Sequence, residues 1–149
     1  MEFKDFSLSV KDTKIREFAT GLAQGRLQAT RCSGCGTLYY PPRHDCPKCF
    51  TDELSWVELE GMGRLISYTT IYVPPEHFAP DSSKQAPFAR LSYHPAPVGI
   101  VKLENGLRVM GWIVGVKPQD LRVGMQLKPE PQVLKDGRAT IALVPTEGG

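Results

Sequence analysis

This 149-residue sequence predicts a mainly β fold: one short N-terminal helix, a small cysteine-bearing ribbon and a five-stranded barrel. Three observations predict it. All four cysteines fall between residues 32 and 49, as two C-x-x-C pairs. Thirteen prolines and fourteen glycines punctuate the chain, which favours strands and turns over long helices. After residue 60 the apolar residues alternate or run in strand-length blocks, separated by turn dipeptides such as Asn105-Gly106. The expected organisation is a helical segment over 1–28, a ribbon over 29–60 and the barrel over 61–149.

The helix is expected within "DTKIREFATGLAQGRL", capped by Asp12 or Thr13. Ile15, Phe18 and Leu22 fall at i, i+3 and i+7 and share one face. Gly21 and Gly25 weaken its end. The apolar stripe has two destinations: the chain's own core, or a partner. The second makes Ile15, Phe18 and Leu22 partner-binding residues.

Cys32, Cys35, Cys46 and Cys49 form C-x2-C-x10-C-x2-C. Each pair turns as a tight knuckle, with Gly34 and Gly36 at the first and Pro47 inside the second. Two knuckles on a short hairpin bring four sulfurs around one point, which makes a closed structural zinc site. Arg31, Arg43 and Lys48 lie close enough in sequence to offset its negative charge. Two disulfides are the alternative, disfavoured in a reducing compartment. Iron is a second occupant for the same sulfurs, as in rubredoxin. His44 lies between the pairs, but four cysteines already close the site, so it reads as a solvated loop histidine. A metal with no open position activates no water.

The ribbon is expected to use "TLYYPP" and "ELSWVELE" as strands. The barrel follows. "GMGRLISYTTIYV" alternates, with Leu65, Ser67, Thr69, Ile71 and Val73 pointing one way. "VGIVKLE" and "LRVMGWIVGV" form a hairpin at Asn105-Gly106. A single turn at Pro118–Leu121 leads to a fourth strand in "MQLKPEP", and Asp136-Gly137 turns into a fifth, "RATIALVP". Five strands with a short helical turn between the third and fourth match a small Greek-key barrel of the OB type. Between the first two strands lies a long proline-rich loop, 74–97, carrying Phe78, Phe88 and Tyr93. Aromatic side chains in a stiffened loop suit an interface, so these three are candidate partner-binding residues.

Several function classes are excluded or disfavoured. A net charge of +2 is too slight to argue for a duplex-DNA or membrane-surface protein. No apolar run reaches the roughly 18 residues of a membrane span, and no signal-peptide segment opens the chain, so the expected compartment is the cytoplasm. No phosphate-binding loop, nucleophile elbow or H-E-x-x-H motif is present. Glu76 with His77 is the acid–base candidate, a pairing common by chance, and zinc leaves no free cysteine, so no catalytic residue is expected.

The stretches "GLAQGRLQATRC", "CSGCGTLYYPPRHDCPKC", "SWVELEGMGRLISYTTI" and "VGIVKLENGLRVMGWIVGVKPQDLRVGMQLKPEP" together resemble the acyl-CoA-associated zinc-ribbon/OB-fold family. The resemblance runs from about residue 13 to 145. It implies Cys32, Cys35, Cys46 and Cys49 as zinc ligands, no catalytic residues, and a hetero-oligomer with a thiolase-like catalytic subunit, in which CoA or acyl-CoA is contacted. One group within the family is the small subunit of thiolases for aromatic acyl-CoA such as benzoylsuccinyl-CoA. The chain departs from the family at Phe50, where many relatives carry glycine, and in the length of the 74–97 loop. Two other readings stand beside this one. The first is an accessory subunit of an acyl-CoA hydratase or aldolase. The second is a single-stranded nucleic-acid binder using Tyr68, Tyr72 and Trp112 as stacking platforms, although the slight cationic excess makes nucleic acid unexpected.

Overall fold

The computed structural model describes residues 14–72, 96–134 and 137–146. The helix caps Asp12 and Thr13, the loop aromatics Phe78, Phe88 and Tyr93, and Asp136 of the last expected turn lie outside the described residues. The elements run in the order α1 (Lys14–Ala23), β1 (Gln28–Cys32), β2 (Leu38–Tyr39), β3 (Leu54–Glu58), β4 (Gly63–Ile71), β5 (Ala96–Leu103), β6 (Arg108–Ile113), a 3-10 turn (Pro118–Asp120), β7 (Gln126–Val133) and β8 (Ala139–Pro145).

α1 ends where its backbone requires it. Gly25 takes φ +78, and the Arg26 and Gly25 amides donate to the Gly21 and Leu22 carbonyls at 2.8 and 3.0 Å. That is the left-handed Schellman stop, open to glycine without a Cβ penalty. The chain then enters β1 at once. β1 was not anticipated from the sequence, and it is the central strand of the ribbon sheet, ordered β2-β1-β3 and antiparallel throughout. Its Thr30 is fully buried, and its hydroxyl accepts from the Arg43 amide at 3.0 Å. This ties the loop between the cysteine pairs to the sheet.

The remaining strands close into a barrel, β4-β5-β6-β8-β7, with β4 returning to β7. The mainly β fold, the ribbon and the five-stranded barrel agree with expectation. One detail differs. Register slips between Leu65 and Ser67, so Leu65 pairs with Val101 while Ser67 pairs with Ile100. The bulge at Ile66 puts Leu65 inside the barrel and Ser67 outside, whereas simple alternation placed both on one face. A bulge adds one residue to one strand and reverses every side chain after it.

The barrel core is aliphatic: Leu65, Val101, Val109, Ile113, Leu121, Leu127 and Leu143 are fully buried. Gly99 is required beside it, because a Cβ there would stand 2.8 Å from Leu65 Cδ1 and 2.9 Å from Ile113 Cδ1. The same cluster takes in Leu22 of α1, Leu27, Ala29 of β1 and Leu59 after β3. Helix, ribbon and barrel thus share one continuous core, and the ribbon is held at a fixed place on the barrel.

Candidate metal centre

The two cysteine pairs are built alike. Cys32-Ser-Gly-Cys35-Gly-Thr37 and Cys46-Pro-Lys-Cys49-Phe-Thr51 each fold into one knuckle. In the first, the Cys32 amide donates to Thr37 O at 3.0 Å and the Gly36 amide to Cys32 O at 2.9 Å. In the second, the Cys46 amide donates to Thr51 O at 2.9 Å and the Phe50 amide to Cys46 O at 2.8 Å. The residue after the second cysteine must be left-handed in both. Gly36 takes φ +70 and Phe50 takes φ +57, the one non-glycine residue with positive φ among those described.

The four sulfurs lie within 4.8 Å of one another. Cys35 Sγ and Cys46 Sγ are 3.7 Å apart. Sulfurs placed tetrahedrally about 2.3 Å from a zinc ion would be about 3.8 Å apart. Cys32 and Cys46 are buried, and Cys35 and Cys49 are exposed. The arrangement fits a closed four-thiolate site. His44 is exposed and stands outside the cluster, so the sulfurs leave it no ligand role.

Neighbouring groups steer the thiols. The Tyr39 hydroxyl lies 3.1 Å from Cys46 Sγ. Burial pushes the Cys46 thiol up, but Tyr39 and the Cys49 and Lys48 amides outweigh it and bring it down to about 6. Thr37 lowers the Cys35 thiol through its side chain and backbone. Cys49 is pushed up to about 12, first by its hydrogen bond to Cys35, with those to Cys46 and Cys32 adding to it. Four crowded sulfurs cannot all ionise unaided, and a cation among them would let all four be thiolates. Lys48 Nζ donates to Thr37 Oγ1 at 3.3 Å, and Arg43 stands over the Tyr39 ring at 5.7 Å. Tyr39 and Thr37 are the site residues that sequence reasoning missed. The signal was the threonine two residues beyond each C-x-x-C.

The other candidates are dispersed. Leu22 is buried in the chain's own core, and Phe18 packs on that core with its ring edge-to-face to Tyr40, centroids 6.0 Å apart. Ile15 is the one exposed member of the helix stripe, at 77%. Leu22 thus belongs to the chain's own core, Phe18 is half-buried against it, and Ile15 stays on the surface. Tyr68, Tyr72 and Trp112 do not form one stacking platform. Tyr68 sits opposite Gly99 at an inward position and donates its hydroxyl to Leu121 O at 3.2 Å, while Trp112 sits opposite Val98 on the outer face. No helix among the described residues is long and apolar enough to cross a membrane.

A four-sulfur ribbon packed against a closed five-stranded barrel defines a zinc-ribbon/OB-fold protein. Residues 19–55 match the ChsH2 rubredoxin-like zinc ribbon domain, and residues 56–131 match the ChsH2 C-terminal OB-fold domain. The chain belongs to this ChsH2 family. It is 38% identical over 103 residues to a DUF35 domain-containing scaffold protein of Methanocaldococcus jannaschii, covering 68% of this chain and 64% of that protein. It is 32% identical to a probable enoyl-CoA hydratase alpha subunit of Thermomonospora curvata, over 68% of this chain but 28% of that protein. It is 25% identical over 125 residues to the benzoylsuccinyl-CoA thiolase subunit BbsA of Thauera aromatica, over 82% of this chain and 76% of that subunit. The chain thus spans less than two thirds of the first two relatives. Among solved structures, the Ltp2-ChsH2(DUF35) aldolase shares the fold at a TM-score of 0.72 and 24% identity, over 91% of this chain and 97% of the matched one.

Proposed function

We propose that this chain is the non-catalytic, zinc-binding subunit of a hetero-oligomeric acyl-CoA complex, with a thiolase-like C-acyltransferase as its catalytic partner. The partner would cleave a 3-oxoacyl-CoA with free CoA, and the acyl-CoA would meet this chain through the partner. The observation that carries the reading is the likeness to a thiolase subunit across both ribbon and barrel, over 82% of the chain. The site chemistry supports it. Cys32, Cys35, Cys46 and Cys49 would hold the zinc, which supplies a cross-link between knuckles and, with four protein ligands, keeps no position for substrate. The Ser33 hydroxyl lies 3.3 Å from Glu53 Oε2, but the pair is exposed and the same hydroxyl donates to the Glu53 backbone oxygen at 2.8 Å, which suits a loop brace better than an activated nucleophile.

A hydratase partner is the second reading, favoured by the match to a hydratase alpha subunit. One experiment separates the two. The tagged full-length chain is purified from its own host, and co-purifying subunits are identified and assayed for thiolysis and hydration of acyl-CoA. A thiolase-fold subunit whose thiolysis depends on this chain supports the first reading. A hydratase supports the second, and an isolated chain that turns over acyl-CoA unaided overturns both.

A further inference from the structure

The outer face of the barrel at β4, β5 and β6 is not a normal solvent face. Arg64 pairs across strands with Lys102, and Lys102 with Arg108, so three cations stand side by side and all are exposed. Like charges directly opposite one another destabilise a sheet. None of the three has an ion-pair partner among the described residues. The next row outward is apolar where β5 and β6 meet: Ile100 pairs with Met110, which is 64% exposed in mid-strand. Val98 pairs with Trp112 beyond it. Beside the cations the outer face of β5 and β6 is thus apolar, and among the described residues the elements packed most closely on β5 are its sheet neighbours β4 and β6.

We propose that this face is where the catalytic subunit docks, presenting carboxylates to Arg64, Lys102 and Arg108 and apolar side chains to Ile100 and Met110. The proposal rests on the partner-subunit reading above and gives it a surface. Charge selects the occupant. A second copy meeting it through the same face would bring cations against cations. Among the described residues a nucleic-acid strand would find one short line of cations across the strands, not a track along a groove, with Trp112 as the aromatic on the same face. An acidic, apolar protein surface satisfies both halves of the patch. The patch spans about 10 Å across three strands and about 14 Å along them, the size of an interface centre and not of a whole interface.

The test uses the full-length chain and the catalytic subunit that co-purifies with it, identified by mass spectrometry and then purified. Binding is measured for the wild type, Lys102→Glu, Met110→Asp and the control Lys117→Glu, which makes the same charge change at an exposed position off this face. Lys102→Glu and Met110→Asp should each weaken the complex by about tenfold or more, and Lys117→Glu should not. Lys102→Glu should also melt no lower than the wild type, because it places a carboxylate between two arginines. Normal binding by both variants, beside a wild type that binds, overturns the docking face and leaves the partner reading standing. Failure of the wild type to bind any such subunit overturns both. Loss of self-association or of oligonucleotide binding in the variants, with subunit binding intact, reassigns the face and overturns the proposal.

Discussion

Phe50 shows what a single residue reveals about the metal knuckles. Gly36 and Phe50 occupy the same place in two like turns, yet only Gly36 adopts φ > 0 without a steric penalty. A left-handed β-carbon costs about 1–2 kcal/mol, and the Phe50 ring returns little, being 86% exposed. Phe50→Gly should therefore stabilise the zinc-loaded ribbon by about 1 kcal/mol and slow metal loss to a chelator, read as a higher melting temperature and a lower release rate. Tyr40 makes a separate prediction. Burial pushes its hydroxyl from about 10 up to about 12. The folded state therefore resists ionisation that the unfolded chain accepts. The resulting stability is full below pH 10 and is lost as pH rises through 12. Denaturant titrations between pH 9 and 12 should show stability falling, and Tyr40→Phe should flatten that fall.

At the scale of elements, the helix separates what sequence shows from what it hides. The apolar spacing of Ile15, Phe18 and Leu22 was legible, because helical periodicity depends only on order along the chain. Its destination was not, since nothing local says whether an apolar face meets its own core or another molecule. Packing of Leu22 among the barrel and ribbon residues sends that side chain inward, while Ile15 stays exposed. Leu22→Ala should cost about 2–5 kcal/mol of folding stability, and Phe18→Ala should also lower the melt, through its lost contact with Tyr40. An unchanged melt for Leu22→Ala would contradict this packing. β1 escaped sequence reading because "QATRC" has no alternation and a polar Thr30 that is buried through its bond to the Arg43 amide. The bulge at Ile66 escaped for the opposite reason: the residues around it alternate well, and only pairing with β5 shows the extra residue. The hairpin at Asn105-Gly106 was legible because its turn is local: the Leu107 amide donates to Asn105 Oδ1 at 3.0 Å and the Gly106 amide to Leu103 O at 2.9 Å.

For the whole molecule, one core joins helix, ribbon and barrel, while the cysteine end of the ribbon has its own small cluster of Cys32, Cys46 and Leu54. Loss of metal should therefore loosen the knuckles and leave the barrel folded. Chelation, or Cys32→Ser, should abolish stoichiometric zinc and expose the thiols to reagent, with most β-sheet signal retained. Complete unfolding on chelation would mean that the shared core does not hold the barrel alone. The metal centre was legible in the sequence down to its four ligands, since C-x-x-C spacing is local. Tyr39 and the cationic face were not, because both arise from strands brought together. The most direct measurement is acyl-CoA thiolysis by this chain alone, by the catalytic subunit alone and by the two mixed. The predicted result is no turnover from this chain and turnover by the mixture well above that of the catalytic subunit alone. Turnover by this chain alone, or a catalytic subunit fully active without it, would contradict the proposed role of a non-catalytic partner.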